Sequence, residues 1–404
     1  QDLDPQRVIQ HFETELLAFT RQSREVTVLG FGKAAIKMFQ GVSGVLGKKI
    51  AKAAIIIPED ESPHPIDKVD ILHGTHPYPT RMSEESSRRL IEIAQDSTGS
   101  DLIFLVSGGG SAIFEVPADP FTIEQISTVS KCMMNNGADI NELNCVRFAM
   151  SDVKGGKLAA KFRDRRILAL YISDVPYDDL AYIASGPLVS AGGHCDPAKV
   201  LLNTGCSGIL GDNVTLSYSE PVIPKDLRNL LVLRNYDFVS LISNLLRSDG
   251  CDVVDLGSNM RGDVSLFVQE LISILRSTAR IRNRGFWFVG GGETTVIVHG
   301  NGKGGRSQAA ALHLLRSMRS DEDFIFLAAG TDGIDGQSPA MGAIVDSEVR
   351  SRVGNEEIDL YLRNDDSYTL LSRTGCSIMT GRTGNNVSDI FFGYYSPPQP
   401  GRAD

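Results

Sequence analysis

The sequence predicts an α/β protein of two unlike domains, and three observations carry that prediction. Apolar strand-like runs alternate with helix-periodic segments along almost the whole chain, the rhythm of a parallel sheet covered on both faces. Four of these runs stop in a glycine-rich turn and lead into a helix-like segment, at 26–35, 102–113, 287–296 and 324–336. The 404 residues, 42% hydrophobic and 22% charged, suffice for two cores. Residues 192–224, rich in Gly, Pro, Ser and Asn and without sustained periodicity, divide them. The expected domains are 1–220 and 221–404.

Taken in order, residues 8–19 have helical spacing, and strands at 26–30 and 53–58 flank a helix at 33–46 with Ala35, Met38, Phe39 and Val42 on its apolar face. A link containing His73 and His76 leads to a helix at 83–96 and the strand 102–107. A helix at 122–135, a polar, basic connection into helix at 141–160, and the strand 167–173 follow. The second part reads as strand 229–233, helix 237–248, strand 253–256 and helix 266–279. Strands 286–289 and 294–298 then bracket a hairpin-like turn, Gly290-Gly-Gly-Glu293. A helix at 307–318, a strand at 324–329 and a helix at 360–374 complete the pattern.

Charge and cysteine usage exclude several classes. Forty basic against fifty acidic residues give a net −10, which argues against nucleic acid or an anionic membrane as the main partner. No apolar run approaches the ~20 residues a membrane span needs. No signal peptide is read at the N-terminus. The six cysteines show no CxxC pair and no zinc spacing, so reduced thiols and a cytoplasmic location are expected.

The glycine turns suit anions, because bare backbone N–H groups approach a ligand closely there and a helix start favours negative charge. None fits the P-loop pattern. Gly30-x-Gly32-x-x-Ala35 matches a dinucleotide fingerprint, but Lys33 would place a cation at a helix opening, unfavourable unless an anion is also present. Ser107, Gly108, Gly109, Gly110 and Ser111 offer several N–H donors and two hydroxyls after an apolar strand. Asn144, Arg147 and Lys154 gather cations and an amide nearby. Asp174, at a strand's carboxyl end, is a candidate for magnesium or a substrate hydroxyl. Gly292, Glu293 and Thr294 lie in the third turn, Asp332 in the fourth, and Arg306 opens a helix, where its planar donors suit a phosphoryl group in transit. His76 is read as orienting a substrate group from its loop.

Together GFGKAA, HPYPT, SGGGSA, NCVRFAMSDVKGGKLA, ISDVPYDDLAYIASGP, GGETTV, GKGGRSQ, AAGTDGIDG and TGRTGNNVSDI resemble the type II glycerate kinases, archaeal-type glycerate 2-kinases in particular. The motifs run in family order from Gly30 to Asp389. The resemblance implies a Rossmann-like, doubly wound N-terminal domain, an α/β C-terminal domain of MOFRL type, and an active site in the cleft between them. It implies ATP- and Mg²⁺-dependent phosphorylation of D-glycerate to 2-phosphoglycerate, with the family's functional lysine and arginine falling on Lys33 and Arg306. Phe148, Ser307 and Ala309 depart from the family pattern.

The mechanism expected has Lys33, Arg306 and Asp174 as catalytic groups, with Asp174 or Asp332 orienting the 2-hydroxyl. Ser107 to Ser111, Asn144, Arg147, Lys154, Gly292, Glu293, Thr294 and Asp332 would contact substrate or nucleotide, and Asp174, Glu293 and Asp332 would hold magnesium. A hydroxyacid or hydroxypyruvate reductase using NAD(P) through the first turn is the competing reading, and a binding sensor without catalysis a third. The sequence leaves the oligomeric state open, a homodimer included. D-glycerate and nucleotide are the partners expected.

Overall fold

The computed structural model describes residues 2–190, 192, 195–211 and 215–398. The rest of the segment read as a divider, 193, 194 and 212–214, lies outside the described residues. The chain divides into two compact units, Gln1–Leu233 and Arg234–Asp404.

The first unit is built on a parallel sheet of β1 (Val26–Phe31), β2 (Ile50–Pro58), β3 (Val69–Gly74), β4 (Asp101–Val106), β5 (Ile167–Ile172) and β6 (Leu227–Leu233). Their order is β3-β2-β1-β4-β5-β6, every neighbouring pair parallel. β1 and β5 are buried at every residue. Burial on both faces is why these strands read as unbroken apolar runs rather than as alternations. Helix Ala35–Leu46 packs on β1 and β2, and Arg81–Asp96 on β2 and β3. β3, in the stretch read as a link, went unseen because only its last residue, Gly74, is buried and its composition is mixed.

Beside the sheet, helices Ile123–Asn135, Ile140–Met150 and Pro197–Asn203 share a small core that includes Ile126, Met133, Leu143, Val146 and Leu201. Two disulfides staple this lobe, Cys132–Cys206 and Cys145–Cys195, leaving Cys251 and Cys376 free. The expectation of reduced thiols is thereby overturned. The paired cysteines are 74 and 50 residues apart, separations that no local spacing rule detects.

The strand expected to open the second domain is β6, which closes the first sheet against β5. The unit boundary therefore falls after Leu233 and not at 220. The break in periodicity before β6 marks irregular chain within the first unit.

The second unit departs further from the expected rhythm, since its sheet is mainly antiparallel. It comprises β7 (Val253–Asp255), β8 (Met260–Asp263), β9 (Phe286–Thr295), β10 (Asp323–Gly330), β11 (Gly342–Asp346), β12 (Ser377–Ile378) and β13 (Asp389–Ser396). β13 lies between β9 and β10, antiparallel to both, while only β7 and β8 pair parallel with β9. Helices Val264–Arg282 and Arg306–Ser317 cover it through Leu271, Leu275, Leu312 and Leu315 in one core with Phe288, Phe326 and Phe391.

The supposed hairpin at Gly290–Glu293 does not exist, because β9 runs straight through it. The glycines there serve close packing. A Cβ on Gly291 would lie 1.9 Å from Asn235 Oδ1, and one on Gly292, at φ +146°, 2.0 Å from Met260 O. Three glycine turns remain at strand carboxyl ends, those after β1, β4 and β10.

Candidate functional site

In the first unit the motif loops are joined through the main chain. Gly32 has φ +116°, and a Cβ there would stand 2.5 Å from both O and Oγ of Ser107, so only glycine lets the first turn touch the second. Lys33 N–H donates to Gly108 O at 2.9 Å and Ala34 N–H to Ser107 Oγ at 3.0 Å. Gly109, at φ +79°, is bordered by Lys33 Cγ and His76 Cδ2, each 3.3 Å from where a Cβ would be. Lys33, His76 and the loop Ser107, Gly108, Gly109, Gly110 and Ser111 therefore meet beyond the carboxyl ends of β1 and β4, where ligands bind in open α/β sheets. Ser107 is fully buried and its Oγ already accepts a backbone N–H, so the expectation of a hydroxyl turned to ligand falls to Ser111, which is partly exposed.

Asp174 lies two residues beyond β5, half-buried. The chain after it carries four non-glycine residues at positive φ, Tyr177, Asp178, Ala184 and Ser185. Such residues cost on the order of 1–3 kcal/mol each and cluster where a precise backbone shape is held for a ligand. Ser185 O accepts from Gly155 N–H at 3.1 Å, Gly186 O from Gly156 N–H at 2.7 Å, and Ser185 Oγ donates to Asn144 Oδ1 at 2.9 Å. Asn144 is 2% exposed, and its Nδ2 has no acceptor, an orphaned donor of the kind a ligand oxygen satisfies. The helix bearing Asn144 and Arg147 is set by a capping box of Asp139 and Glu142. Arg147 is driven down to about 10 by burial, against the attraction of Glu115 and Tyr78.

Lys154 does not serve as expected. It is completely buried, its Nζ donating to Phe114 O at 3.1 Å and lying 3.5 Å from Glu115 Oε2. Burial drives the lysine down to about 8 and the glutamate upward, each partner opposing the shift in the other. Its ammonium faces the protein interior, a role its motif of glycines and cations gave no sign of.

In the second unit Arg306 is the first residue of its helix. Asp335, 4% exposed, caps that helix start, receiving Ser307 N–H at 3.1 Å and Gln308 N–H at 2.7 Å. The helix N-terminus is thus filled by a carboxylate of the chain itself. The guanidinium is gripped by two more, with Nη1 on Glu293 Oε1, Nη2 donating to Asp389 Oδ1 at 3.2 Å, and Nε 2.6 Å from Asp389 Oδ2. Burial works against the charge on Arg306, but Asp389 and Glu293 outweigh it and hold the guanidinium well above its ordinary range. Burial pushes the Asp389 carboxyl up to about 7 in spite of Arg306.

Gly292 and Thr294 are buried in β9, with no partner for Thr294 Oγ1, and Asp332 is half-buried after β10, its Oδ1 accepting Ile334 N–H at 3.2 Å. Asp389 and Asn235 were missed as site residues, while Asp335, read as a carboxylate for metal or a substrate hydroxyl, caps the arginine's helix. Asp389 opens the apolar, aromatic run Ile390-Phe-Phe-Gly-Tyr-Tyr395, a strand signal that could have marked it.

A lysine mounted on a glycine turn suits an anionic ligand, and the likeness to known proteins gives the class, a small-molecule kinase without a P-loop. Residues 1–215 match the family model described as a domain of unknown function, DUF4147, and residues 286–389 match the MOFRL family. The glycerate 2-kinase of Picrophilus torridus is 39% identical over 97% of this chain and 93% of its own length. The D-glycerate 2-kinase of Thermotoga maritima is 32% identical over 91% and 90%. A crystal structure of glycerate kinase from Thermotoga maritima superposes with a TM-score of 0.82 at 31% identity, covering 97% of this chain and 95% of that one. The chain belongs to the glycerate 2-kinase family.

Proposed function

We propose that this chain transfers the γ-phosphoryl group of ATP to the 2-hydroxyl of D-glycerate. The observation that carries the reading is its likeness, over nearly its whole length, to relatives named for that reaction. The sheet order β3-β2-β1-β4-β5-β6, which reverses direction between β1 and β4, supports a Rossmann-like first domain of residues 1–233 with its ligand site at that switch point.

Phosphoryl transfer passes through a loose transition state with charge spread on its equatorial oxygens, so positioning and electrostatics supply most of the catalysis. Lys33 and Arg306 stabilise that charge. N–H groups of the Ser107 to Ser111 loop, the Asn144 amide and Arg147 hold substrate oxygens. Asp174 or Asp332 orients the 2-hydroxyl and takes its proton as the bond from phosphorus to that oxygen forms and the bond to ADP breaks. Exclusion of water from the bound substrates keeps ATP from being hydrolysed.

Magnesium, brought with the nucleotide, would screen the phosphate oxygens, with Asp174, Glu293 and Asp332 as hard oxygen donors. Among the described residues no three His, Cys, Asp or Glu side chains are grouped to hold a metal. No described helix is long and apolar enough to cross a membrane. The two disulfides favour an oxidising compartment over the cytoplasm.

Incubation with ATP, Mg²⁺ and D-glycerate, followed by phosphorus NMR, tests the reading. ADP release that needs all three and a 2-phosphoglycerate signal are expected. Oxidation of NADH with hydroxypyruvate and no ADP would instead establish the reductase.

A further inference from the structure

Arg306 has more negative charge around it than it needs. Asp335 already compensates the helix start on which the arginine sits, through Ser307 and Gln308 N–H. Glu293 and Asp389 then place two carboxylates on one guanidinium, leaving the trio at net −1 when both are ionised. An arriving phosphate is repelled by that arrangement unless one carboxylate withdraws.

The two carboxylates differ in their freedom to do so. Glu293 is 38% exposed and Asp389 2%. Asp389 also has its main chain tied on both sides, pairing with Gly292 of β9 and Gly330 of β10. Asn235, buried, adds a clamp through Nδ2, which donates to Val387 O at 2.6 Å and Asp389 O at 2.8 Å. Between those carbonyls Ser388 is at φ +66°, a conformation that only such surroundings maintain. Gly291 makes room for the clamp, since any side chain there would strike Asn235 Oδ1. Among the described residues, the Glu293 carboxylate is anchored by Arg306 alone.

We infer that Asp389, fixed by Asn235, is the positioning residue for Arg306, and that Glu293 is an exchangeable counter-ion which yields the Nη1 edge to the incoming phosphoryl group. This rests on the reading of Arg306 as the stabiliser of the transferred group. Asp389 aligns Nε and Nη2 from behind and stays in place. Glu293 covers the working edge until the nucleotide displaces it, which keeps a half-buried, always-charged guanidinium from standing unpaired between turnovers.

Kinetics and metal-free binding test the inference together. Asp389→Asn should lower kcat about 100-fold with little change in KM for D-glycerate, as expected when a donor aimed at the transition state is misaligned. In an Arg306→Ala background the same change should have less than about a twofold effect, because Asp389 acts only through the arginine. Glu293→Gln should bind ATP in EDTA about tenfold more tightly by calorimetry, the competing carboxylate having been neutralised. Glu293 is half-exposed, so this arm does not depend on Asp389→Asn folding. Weaker or unchanged binding of metal-free ATP by Glu293→Gln overturns the exchange, and an undiminished effect of Asp389→Asn in the Arg306→Ala background overturns the positioning role. Wild-type kcat in Arg306→Ala alone would instead sink the underlying reading of the arginine.

Discussion

The two units mount their cations in opposite ways. In the first, Lys33 is placed by main-chain contact, its N–H on Gly108 O and its neighbour's on Ser107 Oγ, with Gly32 shaped to permit the approach. In the second, Arg306 is placed by side-chain charge, with Glu293 and Asp389 on its guanidinium and Asp335 on its helix start. Each unit also pairs a buried carboxylate with side-chain charge. Lys154 and Glu115 support the first unit's loops from within, while Glu322 ties Arg276, Arg319 and Tyr395 together away from Arg306. A parallel sheet delivers several turns to one edge, so backbone suffices there. An antiparallel sheet carries its polar groups on strands, where side chains must do the aiming.

The sharpest way to break this comparison is to remove the aimed side chain. Arg306→Ala should reduce kcat by about 10³-fold or more while KM for D-glycerate moves little, read by steady-state ADP release. An unchanged kcat would end the assigned role.

The next largest effect belongs to the interior pair. Lys154→Met should destabilise the first unit by about 3–5 kcal/mol, because a buried carboxylate is left uncompensated. Glu115→Gln in the same chain should restore most of it, in urea unfolding followed by circular dichroism. Failure of the second change to rescue would mean the lysine does more than pair.

Acid sensitivity should mark the second unit. Burial alone would raise Glu322, but Arg276, the Arg319 N–H and the Tyr395 hydroxyl outweigh it and bring it to about 2. A carboxyl depressed on folding stabilises fully above its unfolded value near 4.5 and loses that contribution as pH falls toward 2. The wild-type advantage over Glu322→Gln should therefore be about 3 kcal/mol at pH 6 and shrink through that window. A constant difference from pH 6 to pH 2 would contradict the linkage.

Gly32→Ala should have the smallest effect on stability, about 1–3 kcal/mol, since it forces a side chain to positive φ and against Ser107. Its kcat should nevertheless fall, because the turn that carries Lys33 must shift. A fully active Gly32→Ala enzyme would show that main-chain contact does not aim the lysine.

The same contrast explains what the sequence made legible. Unbroken apolar runs gave away β1, β4 and β5, the first two ending in glycine turns, and Lys33 and Arg306 stood out as cations at helix openings. Antiparallel partners stayed hidden, because β13 lies between β9 and β10 by contacts that join residues far apart in the chain. Asp389 went unnoticed with it. The cystines escaped for the same reason, and Lys154 looked like a ligand group because nothing in its neighbours announces Glu115.

One strand has a practical consequence. A fragment cut at residue 220, where the composition suggests a border, would lack β6 and leave β5 as the rim of the sheet. β5 is Ile167-Leu-Ala-Leu-Tyr-Ile172, buried throughout, and its bared backbone would recruit the same strand of another copy. Such a fragment should precipitate during purification, whereas one extended through Leu233 keeps its margin closed.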